Sequence, residues 1–417
     1  MADLLLELFS EEIPARMQAQ AADNLARLLA EALAPLHPAN ARTLHGPRRI
    51  AWMGEVAPEV PASTVNERGP KLSAPEQALA GFLRKHGATH DDLRQDGGYW
   101  LLEKSVAGRP AAALIAEAVP ALLRRFPWPK SMRWGGTSQF TWVRPLRRIL
   151  CVLDGEVVPF SLASGEDDGH GLVSGDLTEG HRFMAPGEIR ITASAQYEAS
   201  LRDRCVIADV AERRARVAEG IVERAASAGY TVVPDDGLLD EVAGLVEWPV
   251  ALLGRIDDRF MDLPPEVRQV SMRVNQRYFA LTDAEGKPAP AFVFAANIAA
   301  PDGGAAIVAG NERVLRARLS DARHFWDLDR RETLKSRVDA LRKVTFHAKL
   351  GSQYDRVGRL ARLADHIAKS LDGDWQHAYH AATLAKADLT TGMVGEFPEL
   401  QGVMGGYYAL YDGEHPD

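Results

Sequence analysis

Apolar positions recur along this chain with two different periods, and the elements it predicts follow from where each period holds. Leu4-Leu5-Leu6 and Leu8-Phe9 make a short apolar run broken only by Glu7, suited to a buried strand over residues 3 to 9. Pro14 stands where a helix can begin, since the amide it lacks would be unpaired there in any case. Met17, Ala21, Leu25, Leu28, Ala32 and Leu33 then return to one face, which predicts a helix from 14 to 34. Ile50 to Val56 and Tyr99 to Val106 read as strands, separated by a polar stretch and a short helix over Pro75 to His86. The runs Ile149 to Leu153 and Val157 to Phe160 flank Asp154-Gly155, a dipeptide that takes the positive φ angles of a tight hairpin. Gly165 to Gly180 has the composition of an exposed loop. Further strands are expected at Ile189 to Ile191, Cys205 to Ala208, Val250 to Leu253, Arg277 to Leu281 and Ala291 to Ala295.

The pattern changes near residue 310. Asn311 is placed to cap a helix whose Val314, Leu315, Leu319 and Phe325 or Trp326 recur at helical spacing, and few strand signals follow. The chain therefore divides into a mixed α/β region over 1–310, with two subdomains expected inside it, and a helical domain over 311–417. The fold class is α+β, with the boundary between 300 and 345. A length of 417 residues agrees with two to four domains.

Charge narrows the partners. The chain has 57 acidic and 49 basic residues, a net charge of -8, so nucleic acid cannot be held through net charge and any RNA contact must be local. Cys151 and Cys205 lie in apolar runs and read as core thiols in a reducing compartment. The amino terminus lacks the basic and apolar regions of a secretory signal, and no apolar stretch approaches ~18 residues. A soluble, cytoplasmic protein without membrane contact is the expectation.

The chemistry-bearing motifs are mostly absent. No Walker-type loop, strand-helix GxGxxG, CxxC or HExxH occurs. His347, His366, His377 and His380 gather in the helical end and raise the alternative of a metal-dependent HD-type nucleotide phosphohydrolase, in which imidazole and carboxylate hold a cation that activates water. The nearest candidate for its His-Asp doublet reads Lys386-Ala387-Asp388, which puts a positive charge where the cation belongs and predicts no catalytic and no metal site. Trp248, bracketed by Val246 and Val250, and Pro249, ahead of a strand, read as architectural.

One stretch departs from the background. Between Glu117 and Asp154 there is no acid, while Arg124, Arg125, Lys130, Arg133, Arg144, Arg147 and Arg148 alternate with Phe126, Trp128, Trp134, Phe140 and Trp142. Guanidinium groups fork onto phosphate and indoles stack on unpaired bases; core aromatics with solvated arginines give the same pattern. A second cluster joins Arg273, Asn275, Gln276, Arg277 and Tyr278 to Asn311-Glu312-Arg313, Arg316, Arg318 and Arg323, and fits salt-bridged packing as well as RNA contact. Arg133, Arg144, Arg148, Arg277 and Arg313 are the RNA-contact candidates.

Several blocks together resemble one family. Gly46-Pro47-Arg48-Arg49-Ile50-Ala51, Gly69-Pro70-Lys71, Ser131-Met132-Arg133-Trp134-Gly135, Val246-Glu247-Trp248-Pro249-Val250 and Ser271 to Phe279 are similar to the beta subunit of bacterial heterotetrameric glycyl-tRNA synthetase. So are Gly310 to Arg323 and Gly395-Glu396-Phe397-Pro398-Glu399-Leu400-Gln401-Gly402. The resemblance implies a glycine-tRNA ligase subunit that binds tRNA(Gly) and an alpha subunit in an alpha2 beta2 assembly. It also implies that ATP with Mg2+ belongs to the alpha subunit, with no cofactor in this chain. By the same resemblance the amino-terminal region is B3/B4-like and the helical end HD-like. Family members continue into a further helical part with an anticodon-binding region, so the sequence is expected to be an amino-terminal fragment.

Overall fold

The protein is described by a computed structural model over residues 1–416, which leaves Asp417 of the expected helical domain outside the described residues. It is mixed α/β, and its backbone falls into two compact units: residues 1–213 with 243–248, and residues 214–242 with 249 onward.

In the first unit the apolar run at the amino terminus becomes β1 (Ala2–Ser10), followed by α1 (Ala15–Ala32), β2 (Ala39–His45) and β3 (Arg49–Val56). After an inserted subdomain come α3 (Ala111–Arg124), β9 (Leu146–Leu153), β10 (Glu156–Val157), β11 (Ser174–Gly175), β12 (Leu177–Glu179), β13 (Glu188–Arg190) and α4 (Ser194–Arg202). The main sheet has the order β10-β9-β1-β3-β2, with β11 added parallel to β9. β1 lies between β3 and β9, antiparallel to both, with Leu6 opposite Trp52 on one side and Cys151 on the other. Its largely apolar character, broken in the middle by Glu7, has a direct cause. Leu4, Leu6 and Leu8 pack with Leu25 and Leu29 of α1 and with Ile115 and Val119 of α3, while Leu5 packs on the opposite face with Tyr197 and Leu201 of α4.

The hairpin at Asp154-Gly155 forms as its sequence predicts, with φ of 48° and 90° at those two residues. Cys205 to Ala208 does not form a strand. Cys205 sits in a turn at φ 58°, Val206 and Ala208 bury their side chains beside α4, and the backbone is paired with Glu247 and the Arg213 guanidinium instead of with a strand. Cys151 is buried, Cys205 is partly buried, and both are free thiols.

The inserted subdomain comprises β4 (Glu59–Val60), β5 (Ser63–Lys71), α2 (Glu76–His86), β6 (Leu93–Asp96), β7 (Tyr99–Val106) and β8 (Arg109–Pro110). β4 and β8 pair at its base, and β5-β7-β6 form a three-stranded antiparallel sheet. Leu79 and Leu83 of α2 and Leu102 of β7 are buried, so one face of that sheet is closed by the helix. α5 (Val210–Ala226) carries the chain out of this unit. Its Arg213 is buried and donates to the carbonyls of His45, Ile207, Ala208 and Ala243, and this burial brings the guanidinium down to about 10.

The second unit is built on the sheet β14-β16-β17-β15, from β14 (Thr231–Val232), β15 (Val250–Arg255), β16 (Phe279–Thr282) and β17 (Pro288–Ala296). Pro249 precedes β15, as expected of a residue that sets a strand entry. Its helices are α6 (Asp236–Ala243), α7 (Pro265–Gln269), α8 (Ala305–Asp329), α9 (Gln353–Ser370), α10 (Trp375–Leu384), α11 (Gly392–Glu396) and α12 (Val403–Tyr411). Leu315, Leu319, Ala322 and Trp326 of α8 share a core with Leu252, Phe292 and Phe294 of the sheet. α8 starts at Ala305 rather than at Asn311, because Asp302 accepts the Gly304 and Ala306 amides and supplies the cap. Asn311 is therefore inside the helix, where it donates to the Ile307 carbonyl and accepts from the Tyr278 hydroxyl at 2.6 Å. The strand expected from Arg277 begins at Phe279, and Arg277 itself takes φ 61° at the end of the preceding helical turn. Two short strands, β18 (Thr345–His347) and β19 (Gly351–Ser352), interrupt what the sequence predicts as helix only.

Candidate nucleic-acid interface

The acid-free stretch emerges from α3 as a long loop that rejoins the sheet at β9. Its aromatics are the floor of the loop: Trp142 and Phe140 are buried, Trp128 meets Trp142 edge-on at 5.0 Å, and Trp134 meets Phe140 at 5.8 Å and stacks on His170 at 4.2 Å. Backbone bonds between Met132 and Trp142 close it. The aromatic half of the pattern is thus mainly packing, while Lys130, Arg133 and Arg144 remain exposed on top. Arg133 has no carboxylate within ion-pair distance among the described residues, and Arg144 donates only to the neighbouring Val143 carbonyl.

Freedom from acids along the sequence does not carry over into space for every arginine. Arg148 is held by Glu179 at 2.9 Å and Glu188 at 2.7 Å, Arg124 by Asp167 at 2.9 Å, and Arg147 faces Glu11 at 3.7 Å. The Asp167 carboxyl is held well below the usual range by the Ser138 hydroxyl, the Gly169 amide and Arg124. In the second unit Arg277 pairs with Glu241 at 2.8 Å, Arg273 with Asp235, Arg318 with Glu396 and Arg323 with Asp262. Arg313 and Arg316 are exposed on α8, and Glu312 turns away to accept the Arg255 amide. Of the five candidates, Arg133, Arg144 and Arg313 are open to a partner, whereas Arg148 and Arg277 have acidic neighbours.

A buried cluster unites two distant sequence blocks. Arg48 pairs with Glu247 at 2.9 Å, and Arg49 bridges Glu7 and Glu247 at 3.3 Å each. Thr178 and Tyr197 donate their hydroxyls to Glu7, and Arg48 also reaches the Gly180 carbonyl. Burial would raise the Glu247 carboxyl, but Arg49 and Arg48 outweigh it and hold it below its ordinary value. Individual residues gave no warning of this cluster; the only sequence signal was that Gly46 to Ala51 and Val246 to Val250 are both family blocks.

At the helical end, Asp388 is buried and its carboxylate accepts the Gly402 and Gly405 amides at the start of α12. Lys386 lies 3.3 Å from the Gln401 amide oxygen. A cavity of about 570 Å³ opens beside them, lined by His377, His380, Lys386 and His415 among others. His377 lies 3.2 Å from Asp374, and His380 lies 2.7 Å from Glu414. Among the described residues no group of three or more His, Cys, Asp or Glu is arranged to hold a metal ion, so the phosphohydrolase alternative gains no support.

The sequence profile described as "Glycyl-tRNA synthetase beta subunit" matches residues 4–417. The chain belongs to this family. The glycine--tRNA ligase beta subunit of Phenylobacterium zucineum is 53% identical to it over 425 residues, covering 100% of this chain and 62% of that protein. The beta subunit of Paracoccus denitrificans is 48% identical, covering 99% of this chain and 61% of that protein. That of Rhodospirillum centenum is 47% identical, covering 98% and 61%. The chain thus spans about three fifths of the length of the family members it matches. No helix among the described residues is long and apolar enough to cross a membrane.

Proposed function

We propose that the chain acts in glycine-tRNA ligase as the beta subunit, binding tRNA(Gly) and an alpha subunit that carries glycine, ATP with Mg2+ and the adenylate chemistry in an alpha2 beta2 assembly. The observation that carries the tRNA part is the loop over residues 127–145. Lys130, Arg133 and Arg144 stand exposed on a floor of packed aromatics, so the cations are presented without acids and on a rigid base. Such preorganisation lowers the ordering cost of binding. The names of the relatives support the remainder. In this reading the first unit corresponds to a B3/B4-like module, the helical part of the second to an HD-like module used as structure, and the compartment is the cytoplasm, which suits two free thiols.

The test measures tRNA(Gly) affinity against salt, and glycylation on mixing with the alpha subunit. Full-length beta subunit carrying Arg133→Ala and Arg144→Ala should lose ~0.7 to 0.9 of salt slope per phosphate contact removed. Unchanged slope and affinity with folding intact would remove this loop from the interface, and glycylation by the alpha subunit at the same rate without any beta chain would overturn the subunit role.

A further inference from the structure

Two cations of β5 are brought to one aromatic ring by an irregularity in the strand. In an unbroken strand, residues three apart point to opposite faces. Arg68 and Lys71 are three apart, yet Arg68 stands opposite Leu101 and Lys71 opposite Tyr99 of β7. Leu101 and Tyr99 are two apart and share a face, so Gly69-Pro70 inserts one extra residue and returns Lys71 to the Arg68 side. The result is local and measurable: the Arg68 guanidinium lies 3.5 Å from the Tyr99 ring centroid, and the Lys71 ammonium lies 6.0 Å from it.

The bulge also explains the block Gly69-Pro70-Lys71. A Cβ at Gly69 would stand 3.0 Å from the Phe82 ring and 3.1 Å from the Trp100 carbonyl oxygen, so glycine fits where other residues would press on both. Pro70 has no amide to offer, and at a bulge none is left unpaired. With α2 closing the other face, Arg68 and Lys71 are exposed on the open one. The nearby carboxylates are engaged elsewhere, since Glu67 faces Lys85 and His86, and Glu103 pairs with Arg94 at 3.2 Å. Asp96, across from Tyr99 on β6, is within ion-pair distance of neither cation.

Like charges gathered on one ring, with no carboxylate in ion-pair distance of either among the described residues, repel each other until an anion joins. The ring holds the guanidinium by cation–π attraction and leaves its N–H edge free for an oxyanion. We propose that Arg68, Lys71 and Tyr99 form a phosphate-binding site on the open face of the inserted sheet, and that its occupant is the sugar-phosphate backbone of the tRNA. An open sheet face with two cations suits one phosphate of an extended polyanion, which brings its remaining contacts from elsewhere. This inference rests on the tRNA-binding reading above.

The experiment compares the salt dependence of tRNA(Gly) transcript binding by full-length wild type, Arg68→Gln/Lys71→Gln and Arg68→Lys, with and without alpha subunit. The double variant should lose about 0.7 to 0.9 of salt slope, the value of one phosphate contact, while Arg68→Lys keeps its charge and most of the slope. Wild-type slope and affinity in the double variant, with an unchanged circular dichroism spectrum, overturn the site. Weakened association with the alpha subunit at unchanged tRNA affinity also overturns it, because the occupant would then be a protein carboxylate. Should the wild type bind no tRNA in either condition, the tRNA-binding reading itself fails, an outcome distinct from a failure of the double variant alone.

Discussion

In the first unit, buried Arg48 and Arg49 meet Glu7 and Glu247, charge against charge. In the second unit Asp329 and Asp388 are as deeply buried, yet their main partners are backbone amides. Asp329 accepts from the Gly392 and Met393 amides at 2.9 Å and from the Tyr408 hydroxyl at 3.0 Å, with Arg337 at 3.5 Å, while Asp388 accepts from the Gly402 and Gly405 amides. Both devices solve one problem, the cost of removing charge from water. They differ in what happens when one member is lost. An ion cluster leaves an uncompensated opposite charge behind, whereas loss of Asp388 leaves a pair of neutral donors and loss of Asp329 leaves mostly neutral ones, with Arg337 keeping the Asp329 carbonyl and Glu332.

The largest effect should therefore come from Glu247→Ala, which strands Arg48 and leaves Arg49 with Glu7 alone, and should cost about 3–5 kcal/mol of stability in chemical denaturation. A loss under about 1 kcal/mol would show that water reaches the cluster. Asp329→Ala should follow at about 2–3 kcal/mol, since two amides and a hydroxyl lose a charged acceptor together. Asp388→Ala should cost about 0.5–2 kcal/mol, the range of a helix cap, measured by the same denaturation. Finding Asp388→Ala more damaging than Glu247→Ala would break the comparison.

Acid sharpens the contrast. Because the folded Glu247 carboxyl lies below its ordinary 4.5, its contribution is present in full above that value and is lost as pH falls through the folded one. Stability measured downward from pH 5 should thus fall more steeply for wild type than for Glu247→Gln, and equal slopes would contradict the ionic account. The smallest effect on stability belongs to Arg133→Ala and Arg144→Ala. Exposed and without an ion pair among the described residues, they should shift it by less than ~0.5 kcal/mol in thermal melts. A larger shift would make the loop a structural element first. Trp248 falls between these cases: it is half-buried, so Trp248→Ala should cost less than the ~3–5 kcal/mol of a fully buried indole.

What the sequence determined by itself was whatever a short window can carry. The strand at Ala2–Ser10, the helix at Ala15–Ala32 and the turn at Asp154-Gly155 rest on periodicity, proline placement and positive φ, all read within a few residues. Family membership was legible because several long blocks keep one order. Tertiary structure decided the rest, because the deciding partner was distant or because two local signals competed. Cys205 to Ala208 is apolar enough for a strand, but its backbone is claimed by Glu247 and the Arg213 guanidinium, and Asn311 is a good cap overtaken by Asp302 upstream. Arg148 belongs to an acid-free window and still meets Glu179 and Glu188 in space. Arg48 and Glu247 are separated by 199 positions. A buried charge takes its partner from whatever the fold brings within a few ångströms, and no window along the chain contains that information.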